Sequence, residues 1–351
     1  MAVNLAACIT AFLISFITLP VIIKYFLGKN LVDVPGRRKV HKKITPSMGG
    51  ISIFAGFLIA SLIWMDFSEW QISRYVIASL FIVFLLGVRD DIVPFQATQK
   101  LLGQIVAVII LLFSTIHIDS LYGLFGVVQI PEVAGYMITA FVIVVITNSF
   151  NLIDGLDGLA GSVAMVGLSA FGVWFYFVGD EVFALLCFAM MGGILAFLVF
   201  NWDPSEIFMG DTGAMVIGMF LGVLVIHFMN TNYNLADGHS MKFSASIATA
   251  ACFIIIPLCD TPRIIILRLL RGQSPFSPDK SHIHHAIMRL GMTHAQTAII
   301  LGSVNLFFLI MAWIFRGVSD VWMLPGIIIM ALILSIILDR LITRKLSSKA
   351  L

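Results

Sequence analysis

Charge is what this chain has least of. Of its 351 residues only 11% are Asp, Glu, Lys or Arg, while 60% are hydrophobic, and the mean hydropathy is +1.04. A soluble domain carries about 25% charged residues, so a soluble fold is excluded and the chain reads as an integral membrane protein. Cysteine is scarce as well. Cys8, Cys187, Cys252 and Cys259 all lie in apolar runs, without metal-type spacing or a disulfide framework, and act as small hydrophobes. Tyrosine is thin, 6 against 29 phenylalanines, which fits side chains facing lipid. No basic residue precedes the first apolar run, so that run is expected to stay as a span and not to be cleaved as a signal peptide. There is no repeat of roughly 20–50 residues and no low-complexity linker, which leaves one domain over residues 1–351 as the simplest organisation. No nucleic-acid partner is expected.

What the chain does have is apolar segments long enough to cross a bilayer, roughly 17–25 residues each with some shorter or tilted. They fall at Leu5–Leu27, Met48–Met65, Arg74–Val88, Leu101–Ile116, Val133–Thr147, Leu156–Val178, Val182–Phe200, Ala214–Phe228, Phe243–Leu270, Thr297–Ile314 and Val321–Leu341. The fold class is therefore an all-α polytopic membrane protein of about eleven helices, with Pro257 expected to kink the overlong ninth. Lys and Arg set the orientation. With the N-terminus outside, Lys29, Arg37, Arg38, Lys39, Lys42 and Lys43 fall in the first cytoplasmic loop. Arg89 and Lys100 fall in the second, and Arg263, Arg268, Arg271, Lys280 and Arg289 after the ninth helix. Only Arg74, Lys242 and Arg316 fall opposite, and an odd helix count puts the C-terminus in the cytoplasm.

That alternation brings every polar constellation to the cytoplasmic side. The central one is Asn148 to Gly161, between two strongly apolar runs. Asn148, Asn151, Asp154 and Asp157 recur every three residues, which keeps them to one side of a helical or near-helical turn. Acids beside a span are costly without a role, so the stretch reads either as a polar glycine-rich loop or as a carboxylate-amide nest for a metal ion and its anionic ligand. Asp90-Asp91 ends the third helix, where adjacent carboxylates need a partner; Lys100 is one, and an ordinary charged helix end is the bland alternative. Asp211 stands where the eighth helix wants an N-cap, and Phe208 beside it could stack on a planar base.

Ser281-His282-Ile283-His284-His285 opens a short amphipathic run, Ile283–Leu290. A zinc site would want Cys or a further carboxylate at fixed spacing, which is missing, so phosphate contact is the functional reading and an interfacial helix the alternative. Thr45-Pro-Ser47-Met-Gly-Gly50, just before the second helix, offers small residues and hydroxyls for the close approach of a ligand. Carboxylate and amide oxygens suit Mg²⁺ or Mn²⁺, and Lys, Arg and His around them suit phosphates. Two phosphate dianions about 4 Å apart at an effective dielectric near 20 repel by on the order of 10 kcal/mol. Joining two such substrates requires a metal and fixed cations.

Five motifs, in order, then match a family. They are Thr45–Gly50, Asp90-Asp91, Asn-x-x-Asn-x-x-Asp-Gly-x-Asp-Gly-Leu at Asn148–Leu159, Phe-Met-Gly-Asp-Thr-Gly at Phe208–Gly213, and Pro-Asp-Lys-Ser-His-Ile-His-His at Pro278–His285. Over nearly its whole length the chain resembles the polyprenyl-phosphate N-acetylhexosamine-1-phosphate transferases. The resemblance implies ten or eleven spans around a cytoplasmic cleft in the bacterial inner membrane, often as a homodimer. Ile283 interrupts the histidine run as in the branch that uses UDP-GlcNAc, which implies transfer to the membrane lipid undecaprenyl phosphate with release of UMP. UDP-MurNAc-pentapeptide is the rival donor. By the same resemblance Asp211 and Asn151 are Mg²⁺ ligands, and Asp90 or Asp91 acts on the lipid phosphate, by deprotonation or as a covalent nucleophile. Asp154 lies near the pyrophosphate, with Asp157 and Phe208 near the uracil. Asn148, Lys100, His282, His284 and His285 contact substrate, and Lys43 and Ser47 line the cleft. The family's second lysine after the paired aspartates is replaced here by Val93-Pro94-Phe95. From another class, a secondary transporter would put its ionisable residues near the midplane on broken helices of two related halves, and no such halves are visible.

Overall fold

A computed structural model of the chain describes residues 1–29, 45–66, 70–270, 272 and 282–349. Among the described residues the regular structure is α-helical, with no β-strand: α1 Ala2–Gly28, α2 Gly49–Trp64, α3 Trp70–Ile92, α4 Ala97–Leu111, α5 Glu132–Ile153, α6 Leu159–Val178, α7 Glu181–Asn201, α8 Gly210–Asn234, α9 Ser246–Phe253, α10 Ile255–Leu270, α11 Ile283–Arg289, α12 His294–Ile314 and α13 Asp320–Lys349, with one short 3-10 turn at Leu124–Gly126. An apolar environment leaves backbone groups no water to bond, and helices satisfy them within the segment. Eight of these helices are long and apolar enough to cross a membrane, nine if the bent pair α9–α10 counts as one span; α2 and α4 are shorter apolar helices.

The bundle is built around α8. Of its most apolar stretch 94% is buried, against 6% for α13 and 22% for α1. It packs on α2, α3, α5, α6 and α9. Two contacts are backbone on backbone: a methyl group at Gly50 would collide with Gly213, and one at Gly87 with Thr212. Both lie at the start of α8, where α2 and α3 press against it.

Three boundaries differ from expectation, and each bears on function. α3 carries four residues beyond Val88, so Asp90 and Asp91 lie in its last turn. α5 runs on to Ile153, which places Asn148 and Asn151 one turn apart on regular helix, while Asp154 and Asp157 lie in the turn that follows. The expected ninth helix is broken by a 90° bend, and the break falls at Ile254, ahead of Pro257. Pro257 has no N–H to give to the carbonyl four residues back. That carbonyl, on Phe253, instead accepts from the buried Asn305 amide of α12 at 3.0 Å. Pro257 itself sits in the first turn of α10, where its ring is tolerated.

Candidate active site

The first N–H groups of a helix have no partner within it. At α8 a carboxylate from another helix meets them. Asp91 accepts from the Asp211 amide at 2.8 Å, the Thr212 amide at 3.0 Å and Thr212 Oγ1 at 2.6 Å. Gly210 enters the helix with a φ of +74°, and a side chain on it would press into the Asp91 carboxylate and the Ser47 carbonyl. Residues 46–50 are stitched alongside: Phe208 N donates to Pro46 O, Gly49 N to Phe208 O and Gly50 N to Met209 O, at 2.8–2.9 Å. Half-buried Ser47 and Phe208 thereby flank the start of α8.

Asp211 is the meeting point. Its Oδ1 accepts from Asn151 Nδ2 at 2.5 Å and from Lys100 Nζ at 2.5 Å. The same ammonium reaches Asp90 Oδ2 at 2.7 Å, and Asp90 Oδ1 accepts from Phe95 N at 2.6 Å. Residues from α3, α4, α5 and α8 thus close on one point. Asp154 stands just past α5. Burial pushes its carboxyl up to about 8, and Asp211, Asp91 and Asp157 add repulsion. Negative charge is in excess here, and a cation is the group that would relieve it. Asn148 faces elsewhere: its amide donates to Gln104 Oε1 and to Val144 O, each at 2.8 Å, and so anchors α5 to α4.

Asp157 lies one turn on and opens a second cluster. Buried, it accepts from Ser205 N at 3.3 Å and Ser205 Oγ at 2.9 Å, and pairs with His294 Nδ1 at 3.2 Å. With Asp203 these residues bring ligand atoms within 4.8 Å of one another, an acidic group able to hold a metal. Asn201 fixes the loop that carries Ser205, accepting from Gly158 N and donating to Ile207 O at 2.8 Å each.

The histidines close the other side. The His282 ring stacks parallel on His284 at 5.7 Å, and His284 lies 4.3 Å from His285. His284 Nε2 sits 3.0 Å from where a β-carbon on Gly155 would be, so a bare glycine lets the imidazole against the acidic turn. Burial, reinforced by His285, pushes His284 down to about 3 and keeps it neutral.

Asp90, Asp91, Lys100, Asn151, Asp154 and Asp211 are therefore brought together, with Ser47 and Phe208 beside them and Asp157, His282, His284 and His285 adjoining. Asn148 is turned to Gln104, and Lys43 lies outside the described residues. Thr212, Ser205, Asp203, His294 and Asp260 belong to the site and were not anticipated. A signal existed for His294, since Thr293 and Gln296 form a capping box that starts α12 there. One existed for Asp260 too, as a lone acid inside an apolar run.

Fold and site together define a polytopic helical membrane protein whose oxygen-rich centre lies at the end of its bundle. Residues 73–229 match the model of glycosyl transferase family 4. The chain is 31% identical over 334 residues to a probable undecaprenyl-phosphate N-acetylglucosaminyl 1-phosphate transferase of Bacillus subtilis, covering 93% of this chain and 89% of the relative. It is 33% identical over 303 residues to the undecaprenyl-phosphate alpha-N-acetylglucosaminyl 1-phosphate transferase of Salmonella typhi, covering 85% and 80%. The protein of that name in Escherichia coli K12 is 34% identical over 279 residues, covering 77% and 72%. The chain belongs to this family of phosphoglycosyl transferases.

Proposed function

We propose that the chain transfers N-acetylglucosamine 1-phosphate from UDP-GlcNAc to undecaprenyl phosphate, at the cytoplasmic face of a bacterial inner membrane. The observation that carries this reading is Asp211, held at a helix start and touched at once by Asn151 and Lys100, with Asp90 on the far side of the same ammonium. The relatives' names supply the lipid acceptor and the sugar phosphate, and the Lys/Arg bias, opposed only at Arg74, Lys242 and Arg316, supports a cytoplasmic site. With α2, α4 and the bent pair counted beside the eight long helices there are eleven candidate crossings, and the Lys/Arg bias supports an N-terminus outside and a C-terminus inside.

Asp211, Asn151 through its amide oxygen, and Asp154 form an oxygen donor set of the kind Mg²⁺ or Mn²⁺ takes. The repulsion that raises Asp154 is what such an ion would offset. The ion would supply neutralising charge at the pyrophosphate. Lys100 adds a fixed cation for the transferring phosphoryl group. Asp90, paired with Lys100, takes the proton of the lipid phosphate. That oxygen attacks the sugar-linked phosphorus, the bond to the UMP oxygen breaks, and UMP leaves. Asp91 keeps the start of α8, and with it Asp211, in register. Asp157 and Phe208 border the uracil, and Ser47, His282 and His285 the phosphates and sugar.

Purified enzyme incubated with Mg²⁺, undecaprenyl phosphate and a panel of UDP-sugars tests this. UMP is expected with UDP-GlcNAc. Release with UDP-MurNAc-pentapeptide alone would overturn the donor, and no UMP with any sugar would overturn the transferase.

A further inference from the structure

A carboxylate in the middle of an apolar membrane helix is expensive unless something holds it, and Asp260 of α10 is 1% exposed. Both of its oxygens are used, and both by the histidine segment. Oδ2 lies 2.8 Å from His282 Nδ1, and Oδ1 accepts from Ile283 N at 2.8 Å, the first amide of α11. The second bond fixes where α11 begins. The first bond fixes the His282 ring. A buried carboxylate that also takes a backbone N–H is an acceptor, so the proton of the shared bond sits on Nδ1. His282 Nε2, on the opposite edge of the ring, is the nitrogen that Asp260 does not engage.

The ring is also oriented. It lies parallel to His284, and His284 is pressed on Gly155 of the acidic turn. Asp260 therefore governs both the direction of His282 and which of its nitrogens faces outward. We infer that Asp260 is a positioning residue for the transfer: through His282 Nδ1 it presents Nε2, as an acceptor, to a hydroxyl of the substrate. This rests on the substrate-contacting role proposed for His282.

A double-variant cycle separates the two ideas. Asp260→Asn should lower kcat/KM by roughly tenfold or more, the usual scale for a hydrogen bond to a charged group. In a His282→Gln background the same substitution should cost nothing further. If the two losses multiply, Asp260 acts independently of His282 and the inference fails. If His282→Gln alone leaves kcat/KM unchanged, the role given to His282 fails first. A measurement on the unaltered protein guards against misfolded variants. With histidine carrying ¹³C and ¹⁵N, and His282 assigned from the His282→Gln spectrum, the Nδ1–H form is expected. An Nε2–H form with a bare Nδ1 would overturn the proposal.

Discussion

Asp91 and Asp320 do the same job at opposite ends of α8. Asp91, from the end of α3, caps the start of α8 by accepting its first amides. Asp320, at the start of α13, caps the start of α9 by accepting from Ile247 N at 3.2 Å and Ala248 N at 2.7 Å. Both are aspartates reaching across to another helix, and both satisfy donors that water cannot. Their surroundings differ. Along the later part of α8 the polar groups answer one another: Asn232 pairs with Phe243 and Ser246, Asn230 with Tyr122, His227 with Asp180. Beside Asp91 the acids crowd, and Lys100 serves both Asp90 and Asp211. A membrane protein spends buried acids on holding its helices in either case. Only where charge is left uncompensated does it have a place for an ion and a phosphate.

The comparison breaks most sharply at Asp211. Asp211→Asn keeps the side-chain shape but removes the charge that a divalent ion needs. Turnover should fall by roughly 10²–10³-fold or more, and stabilisation of the fold by Mg²⁺ should vanish. Near-normal UMP release would remove Asp211 from the metal. The paired aspartates come next, and the structure separates them. Asp90→Asn should slow turnover while UDP-sugar binding stays close to that of the parent. Asp91→Asn should cost about 1–3 kcal/mol of stability and weaken donor binding with it, because one oxygen that accepts N–H groups becomes an NH₂. Calorimetric binding of UDP-sugar to the two variants tells them apart; identical profiles would deny Asp91 its holding role.

Much of this was legible in the sequence because chemistry and topology agreed. Sparse charge with long apolar runs forces helices, and the recurrence of Asn151, Asp154 and Asp157 marks a polar stretch, from which Asn151 meets Asp211 and Asp157 opens the adjoining cluster. What stayed hidden depends on contacts between distant segments. No local pattern says that Asp91 belongs to the start of a helix 120 residues later in the chain, or that Asn148 turns to Gln104. Pro257 pointed to a bend in the right helix, but the bend is placed by where the freed Phe253 carbonyl finds Asn305. Asp260 looked like one more residue of a span until α11 folded back onto it.

Asp154 sharpens the comparison through pH. In metal-free protein its carboxyl sits at about 8, against the usual 3.8. Between those values the folded state holds a proton that the unfolded state has lost. The folded state binds more protons there, so this group makes stability fall as pH rises, and the loss is complete above about 8. Melting curves in EDTA from about pH 5 to about pH 9 should thus decline more steeply for the parent than for Asp154→Asn. With Mg²⁺ present the ionised form is the one wanted, and the difference should shrink or reverse. Parallel curves in EDTA would mean that Asp154 is not crowded by its neighbours.

The smallest effect on turnover belongs to the far end. Asp320→Asn removes the cap of α9 just as Asp91→Asn removes that of α8, and a lost cap costs about 0.5–2 kcal/mol. The melting temperature should drop accordingly. Yet Asp320 is not crowded by other acids as Asp91 is, and α9 turns through a 90° bend into α10, which carries Asp260. Above the melting onset the variant should lose activity with its fold; below it, kcat and the Mg²⁺ requirement should match the parent within about twofold, a difference of under half a kcal/mol. A larger loss of kcat at a temperature where the variant is fully folded would show that the bend transmits the position of α9 to Asp260 and His282, and that the two caps are coupled.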